Sequence, residues 1–167
     1  MMKLVPPSRQ YKENYAAAVE ELQDEPHTLE EKRPTDINEY IVWRTDHAQG
    51  KNLPEGWIPA STFWLVESGI VVGEVSIRHE LTEFLRTVGG HIGYWIRPSK
   101  RRQGYGKEIL RLALQQAKNL GIAQVLITCD ETNDASRKII EANGGIFEKM
   151  TEMENGQPCK LLFWIQT

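Results

Sequence analysis

Between Ile96 and Gly106 the chain reads I-R-P-S-K-R-R-Q-G-Y-G. A proline turn, a cluster of cations and two glycines stand between an apolar strand-like run and a long amphipathic helix. A chain bends this way where backbone N–H groups must approach a phosphate closely. An ordinary solvated surface turn would explain Lys100, Arg101, Arg102 and Lys107, but not the flanking Pro98, Gly104 and Gly106.

The elements around this turn follow from pattern. Upstream, His91 to Arg97 is strand-like and opens on Gly89-Gly90. Before it, Ser61 to Glu67 and Ile70 to His79 are β-rich and joined by Ser68-Gly69, a hairpin signal. Downstream, Lys107 to Leu120 places Ile109 or Leu110, Ala113, Leu114, Ala117 and Leu120 on one helical face, and Gly121 ends it. Gln124 to Cys129 is a continuous apolar run, as expected of a strand buried on both faces. Asp134 to Asn143 reads as a helix closed by Gly144-Gly145. Two strands, Ile146 to Met153 and Cys159 to Ile165, are joined through Asn155-Gly156, with Pro158 at a strand end or edge. Towards the N-terminus, Lys3 to Val5 is a short strand stopped by Pro6-Pro7. Tyr11 to Gln23 is a helix capped by Ser8, Glu25 to Pro34 is a loop, and Asp36 to Arg44 is a second helix. Gly50 to Pro59 is a Pro- and Gly-rich loop holding Trp57. The order β-α-α-β-β-β-α-β-α-β-β implies one α/β domain over residues 1–167, a mixed sheet with helices on both faces.

Composition narrows the function classes. The chain has 167 residues, enough for one core, and a net charge of −3, which argues against a general nucleic-acid binder. The basic turn is therefore local. Cys129 and Cys159 are too few for a disulfide framework, and no Cys/His spacing resembles a zinc site, so two reduced thiols, a cytoplasmic location and no metal are expected. No run approaches a membrane span, and the N-terminus lacks the apolar core of a signal peptide.

Three phosphate motifs compete at the turn. A P-loop fails because Glu108 follows Gly106-Lys107 and Arg101 occupies the first glycine position. A dinucleotide fingerprint fails because its third small residue is Ile109. The pattern [Q/R]-x-x-G-x-[G/A] is met by Arg101, Gly104 and Gly106, after a strand and opening a long helix. On these residues the chain resembles the GNAT acetyltransferase superfamily over Ser61 to Ile165, most sharply over Ile92 to Gly145. G-G-H-I-G-Y-W-I-R-P-S-K-R-R-Q-G-Y-G and N-D-A-S-R-K-I-I-E-A-N-G-G resemble a bacterial subgroup of acetyltransferases.

The resemblance implies a GNAT-like acyl-CoA N-acyltransferase fold, with a mostly antiparallel central sheet, and acetyl-CoA as co-substrate. It implies that the backbone amides of Gln103, Gly104, Tyr105, Gly106 and Lys107 hold the pyrophosphate. Small residues at 104 and 106 would let it approach. Arg101 and Arg102 would add charge-assisted contacts, with Arg97 alongside. The strand ending at Ile96 would splay from its neighbour and pair with the pantetheine. The Ile96 N–H would donate to the thioester carbonyl, a contact worth about 3 kcal/mol of barrier. Asn133 and Ser136 match the family's second cofactor-contacting segment, although Asn133 also reads as a simple helix cap.

Acyl transfer to an amine needs a deprotonated amine, and a lysine-like amine has an unperturbed pKa of about 10.4. Where the family often places a carboxylate, this chain has Gly90, beside His91. His91 is a candidate base, although strict alternation puts it on the face opposite Ile96. Glu74, a carboxylate interrupting the apolar run V-V-G-E-V-S-I, is another. Ordinary readings are a structural histidine and an outward-facing strand charge. His79 and Glu80 are weaker candidates. Ile140 stands where the family usually carries an acidic tyrosine, which leaves Tyr94, Tyr105 or water to protonate the thiolate. Trp57 and Trp95 are candidates for an acceptor pocket, against ordinary core packing.

The leading expectation is transfer of an acetyl group from acetyl-CoA to a primary amine by direct attack in a ternary complex. The alternative is a coenzyme-binding sensor or interaction module with little or no turnover, motivated by Gly90 and Ile140. A longer acyl donor also remains open. The acceptor is a small-molecule or peptide amine, with a slight lean towards a cation from the net charge. Neither nucleic acid nor membrane is an expected partner. Dimers are common among proteins resembling this family, which puts a homodimer among the assemblies to test.

Overall fold

The computed structural model describes residues 1–23, 25, 33–154 and 156–167. Most of the expected loop from Glu25 to Pro34, and Asn155 of the Asn155-Gly156 turn, lie outside the described residues.

Strand β1 (Met2–Val5) leads through a 3₁₀ turn at Arg9–Tyr11 into α1 (Lys12–Glu20). Ser8 precedes that turn but its side chain makes no capping hydrogen bond, contrary to the sequence expectation. Helix α2 (Ile37–Ala48) runs four residues beyond the expected end. Asp36 caps it by accepting from the N–H groups of Asn38 and Glu39 at 2.8 and 3.0 Å. Strands β2 (Ala60–Glu67) and β3 (Ile70–Arg78) form the expected hairpin. Ser68 and Gly69 both take positive φ, as a tight two-residue turn requires. Then come β4 (Ile92–Ile96), a 3₁₀ turn at Pro98–Lys100, α3 (Tyr105–Asn119), β5 (Gln124–Asp130), α4 (Asp134–Ala142), β6 (Ile146–Thr151) and β7 (Lys160–Gln166).

The strands form two antiparallel sheets, β1-β2-β3-β4 and β5-β7-β6. Strands β4 and β5 are joined by the α3 crossover but share no ladder; at their seam the His91 N–H donates to the Leu126 carbonyl at 2.7 Å. Helices pack on both faces. Helix α3 and Ile140 of α4 cover one face with Leu65, Val72, Val75, Ile96, Val125, Ile127 and Phe163. Helices α1 and α2 cover the other, where Tyr15, Ala18, Leu22 and Tyr40 meet Trp64, Val66, Val71 and Trp95. The Tyr15 ring stacks on Trp64 at 4.2 Å between centroids and on Tyr40 at 5.4 Å. Both cysteines are free thiols, and among the described residues no helix is long and apolar enough to cross a membrane.

Candidate active site

A cleft of about 1230 Å³ begins at the turn before α3 and runs between the diverging ends of β4 and β5. Its walls include Tyr94, Trp95 and Ile96 from β4, Arg101, Arg102, Gly104, Gly106 and Lys107 from the turn, and Asn133 and Ser136 from the start of α4.

The turn is shaped by its backbone. Arg102 and Gly104 have φ values of 63° and 89°, so left-handed residues alternate with ordinary ones, a pattern that gathers successive N–H groups into an anion-binding concavity. Glycine suits position 104 because of that φ, and a Cβ there would meet nothing within 4 Å, which leaves the space open for a ligand. Gly104 is also the N-cap of α3, whose first amides have no intrahelical partner and whose dipole favours an anion. Gly106 also lines the cleft, and a Cβ there would stand 2.6 Å from Ile139 Cδ1, so its smallness also leaves room for the Ile139 side chain of α4.

The cations divide. Arg102 and Lys107 line the cleft. Arg101 lines it too, but its Nε donates to the Ile96 carbonyl at 3.0 Å and its two terminal nitrogens donate to Glu25 at 2.6 and 2.7 Å. Arg97 turns to α1 and donates to Glu21 at 2.5 Å. Arg97, Gln103 and Tyr105 are not among the side chains lining the cleft. Tyr105 is buried, and its hydroxyl donates to Glu67. Asn133 both lines the cleft and caps α4, accepting from the Ser136 N–H at 3.0 Å.

The direction of the Ile96 N–H follows from register. Ile96 lies opposite Gly73, and the Arg97 N–H donates to the Val72 carbonyl at 2.9 Å. That bond marks Gly73 and Ile96 as a non-hydrogen-bonded pair, so the Ile96 N–H points away from β3, towards β5 and the cleft. Tyr94, two residues earlier, shares this orientation. Its hydroxyl lies 3.3 Å from Ser136 Oγ. Burial raises the Tyr94 pKa above its ordinary value, with the Ser136 contact opposing, so the phenol is neutral and carries a proton at physiological pH.

The candidate bases sit elsewhere. Gly90 has φ 58° and a Cβ there would lie 2.3 Å from the Leu126 carbonyl oxygen, so no carboxylate fits where the resemblance leads one to look. His91 Nδ1 accepts from the Leu126 N–H at 2.9 Å, which puts the ring in the seam between β4 and β5 with its proton on Nε2. Burial, helped by Arg86 and Arg78, pulls its pKa down to about 4. Glu74 is buried on the α1/α2 face, directly between Trp64 of β2 and Trp95 of β4. Its Oε2 accepts from the Tyr40 hydroxyl at 2.7 Å and Trp64 Nε1 at 2.8 Å, and Arg44 lies 3.9 Å from Oε1. Neither Glu74 nor His91 lines the cleft; Trp95, beside Glu74, does. The Ser61 hydroxyl lies 2.8 Å from His79 Nε2. Trp57 packs against Trp43 and His47, apart from the cleft. Ile140 is fully buried.

Sequence reasoning named Tyr94 as a candidate acid and Ser136 as a cofactor contact without pairing them, and passed over Cys129, Asp130 and Arg78 as site residues; all five line the cleft. Cys129 is buried, and burial raises its thiol pKa. The available signal was alternation: Tyr94 shares a face with Ile96, and Cys129 is the penultimate residue of β5. The donors, open glycine position and elongated cleft fit a diphosphate with a narrow thioester tail.

Residues 7–146 match the family described as Acetyltransferase (GNAT) domain. Among curated proteins, none matches this sequence. Solved structures are similar along 99% of the chain. One is Mycobacterium smegmatis RimJ in complex with CoA-disulfide (TM-score 0.73, 17% identity, 82% of that chain covered). Another is the Microcin C7 self-immunity acetyltransferase MccE in complex with acetyl-CoA and AMP (0.71, 15%, 92%). A third is the Salmonella typhimurium acetyltransferase that modifies the N-terminal serine of ribosomal protein L7/L12 (0.68, 18%, 95%).

Proposed function

Because the chain belongs to the GNAT family, whose members are acetyl-CoA-dependent N-acetyltransferases, we propose that it carries the acetyl group of acetyl-CoA directly to a primary amine in a ternary complex. The carrying observation is the convergence in one cleft of the left-handed turn before α3, the outward Ile96 N–H and the Tyr94–Ser136 pair. The amides of residues 103–107 grip the diphosphate, with Arg102 and Lys107 adding charge. The Ile96 N–H stabilises the oxyanion formed when the amine nitrogen attacks the thioester carbon. As the carbon–sulfur bond breaks, the thiolate takes its proton from Tyr94, supported by Ser136. Glu74 accepts the amine proton through water, from behind Trp95. His91 keeps the seam closed at its far end and acts as a positioning residue. The products are an acetylated amine and free coenzyme A. Peptide N-termini, the acceptor class in the Salmonella relative's description, and small amines are both candidates.

The test is incubation with acetyl-CoA and a panel of peptide and small-molecule amines, reading free thiol. Amine-dependent thiol release supports the enzyme. The position of Glu74 and His91 outside the cleft lining favours the second reading, a coenzyme-binding module, which predicts tight acetyl-CoA binding without release. Glu74→Gln keeps an acceptor for Tyr40 and Trp64; its kcat should fall roughly 100-fold at neutral pH and recover as pH approaches about 10, where the amine loses its proton unaided. A deficit constant across pH removes Glu74 from the role of base.

A further inference from the structure

Two carboxylates that follow α1 reach two arginines beside the turn before α3, and the two pairs differ in place. Glu21 accepts from Arg97 and Ser99, and none of the three is among the residues lining the cleft. Glu25 accepts from Arg101, and both of these line the cleft together with Gly104, Gly106 and Lys107. The Glu25 N–H donates to the Leu22 carbonyl at 2.9 Å, which fixes its backbone to the end of α1. Its two carboxylate oxygens meet the two terminal nitrogens of Arg101 at 2.6 and 2.7 Å, a two-pronged pair. The pair is open to water, with 41% of the Arg101 side chain and 34% of the Glu25 side chain accessible, so it adds little to the stability of the fold.

Register shows where the Arg101 guanidinium stands. Ile96 and Gly73 form a non-hydrogen-bonded pair, so the Ile96 carbonyl, like its N–H, points away from β3 and towards β5. Arg101 Nε donates to that carbonyl at 3.0 Å. The guanidinium therefore lies on the cleft-facing edge of β4, at the end next to the turn. Glu25 sets a negative charge beside a place whose left-handed backbone and helix N-terminus favour an anion. Carboxylate and phosphate both offer two oxygens to the arginine fork, so the two compete for one guanidinium edge.

We propose that Glu25 is a built-in competitor for the phosphates of the donor. It occupies Arg101 until coenzyme A or its thioester binds, and Arg101 then exchanges Glu25 for a phosphate oxygen. Run backwards, the same exchange helps to expel coenzyme A after transfer. The role rests on the reading of this cleft as the donor site, and the test separates the two.

Isothermal titration calorimetry of coenzyme A into the full chain reads the competition. Glu25→Gln keeps the shape and removes the charge. It should tighten binding roughly threefold to tenfold at low ionic strength, with the gain shrinking at high salt. Arg101→Gln should weaken binding, and in that background Glu25→Gln should gain nothing, because no guanidinium is left to hold. If circular dichroism shows Arg101→Gln unfolded, Arg101→Lys replaces it, since a lysine cannot form the two-pronged pair. An equal gain with and without Arg101 overturns the proposal, because general charge repulsion then explains it. So does a Glu25→Gln variant that binds no more tightly than the wild type. If neither protein binds coenzyme A, the donor-site reading falls and the role of Glu25 falls with it.

Discussion

Gly90 carries no side chain because the main chain of β5 fills the space one would need, with the Leu126 carbonyl oxygen 2.3 Å from a would-be Cβ. Gly104 has the opposite surroundings: left-handed backbone and empty space. Alanine at 104 should therefore destabilise by roughly 1 kcal/mol, the ordinary strain of a left-handed residue. Alanine at 90 adds a backbone clash and should lose about 3 kcal/mol or more. Urea unfolding of the two variants checks the order. The Tyr94 hydroxyl is tested by Tyr94→Phe, which should lower kcat about tenfold while the KM for acetyl-CoA holds, since the phenyl ring still fills the wall. At this scale the sequence was legible wherever a residue type has one physical use. Gly104 at a helix start is such a case. The left-handed φ of Arg102 left no signal, because arginine has no preference for that region. The burial of Glu74 was equally hidden: its partners Tyr40 and Arg44 come from α2, more than twenty residues away in sequence.

At the level of elements, the C-terminal turn of α1 fastens the turn before α3 that is proposed to hold the diphosphate. Glu21 accepts from Arg97 Nε, from the Ser99 N–H at 3.0 Å and from the Ser99 hydroxyl at 3.1 Å. Partial burial works against the Glu21 carboxylate, but these hydrogen bonds outweigh it and leave its pKa below the ordinary value. Glu21→Gln should therefore raise the KM for acetyl-CoA severalfold with little change in kcat, measured by initial rates. Equal loss in both parameters would place Glu21 in the chemistry instead. The strand, turn and helix from 91 to 120 were readable because each has a strong local signature: an apolar run, Pro98 with two glycines, then a wide apolar stripe closed by Gly121. The tie from α1 was not, because a carboxylate at a helix end reads the same whether it meets water or a distant turn. The cap expected at Ser8 failed for a related reason. The chain enters α1 through a 3₁₀ turn, which moves the helix start to Lys12, out of reach of Ser8.

Over the whole molecule, two buried histidines set the response to acid. His91 and His47 both have pKa values pulled down to about 4, chiefly by burial, from an unfolded value near 6.5. Below pH 6.5 the unfolded chain binds protons that the folded chain refuses, so stability falls with pH across the window from about 6.5 to 4. Each ring contributes up to roughly 2 to 3 kcal/mol of that loss. Urea midpoints across this window should show the decline, and His91→Asn, which keeps an acceptor for the Leu126 N–H, should flatten part of it. The element order and the placement of helices on both faces were legible from periodicity alone. The division into two sheets was not, since nothing in the apolar runs of β4 and β5 tells paired neighbours from diverging ones.

The aromatic stack under α1 and α2 and the aliphatic core under α3 are separate packed bodies, each with its own buried residues. The proposed nucleotide grip is mounted on the second and tied to the first at the end of α1, through Glu21, while the wall behind Trp95 belongs to the first. Evolution can therefore rework the aromatic body away from that tie to admit a new recipient without rebuilding the aliphatic one. Descendants of such a scaffold would keep their donor and diverge in what they modify.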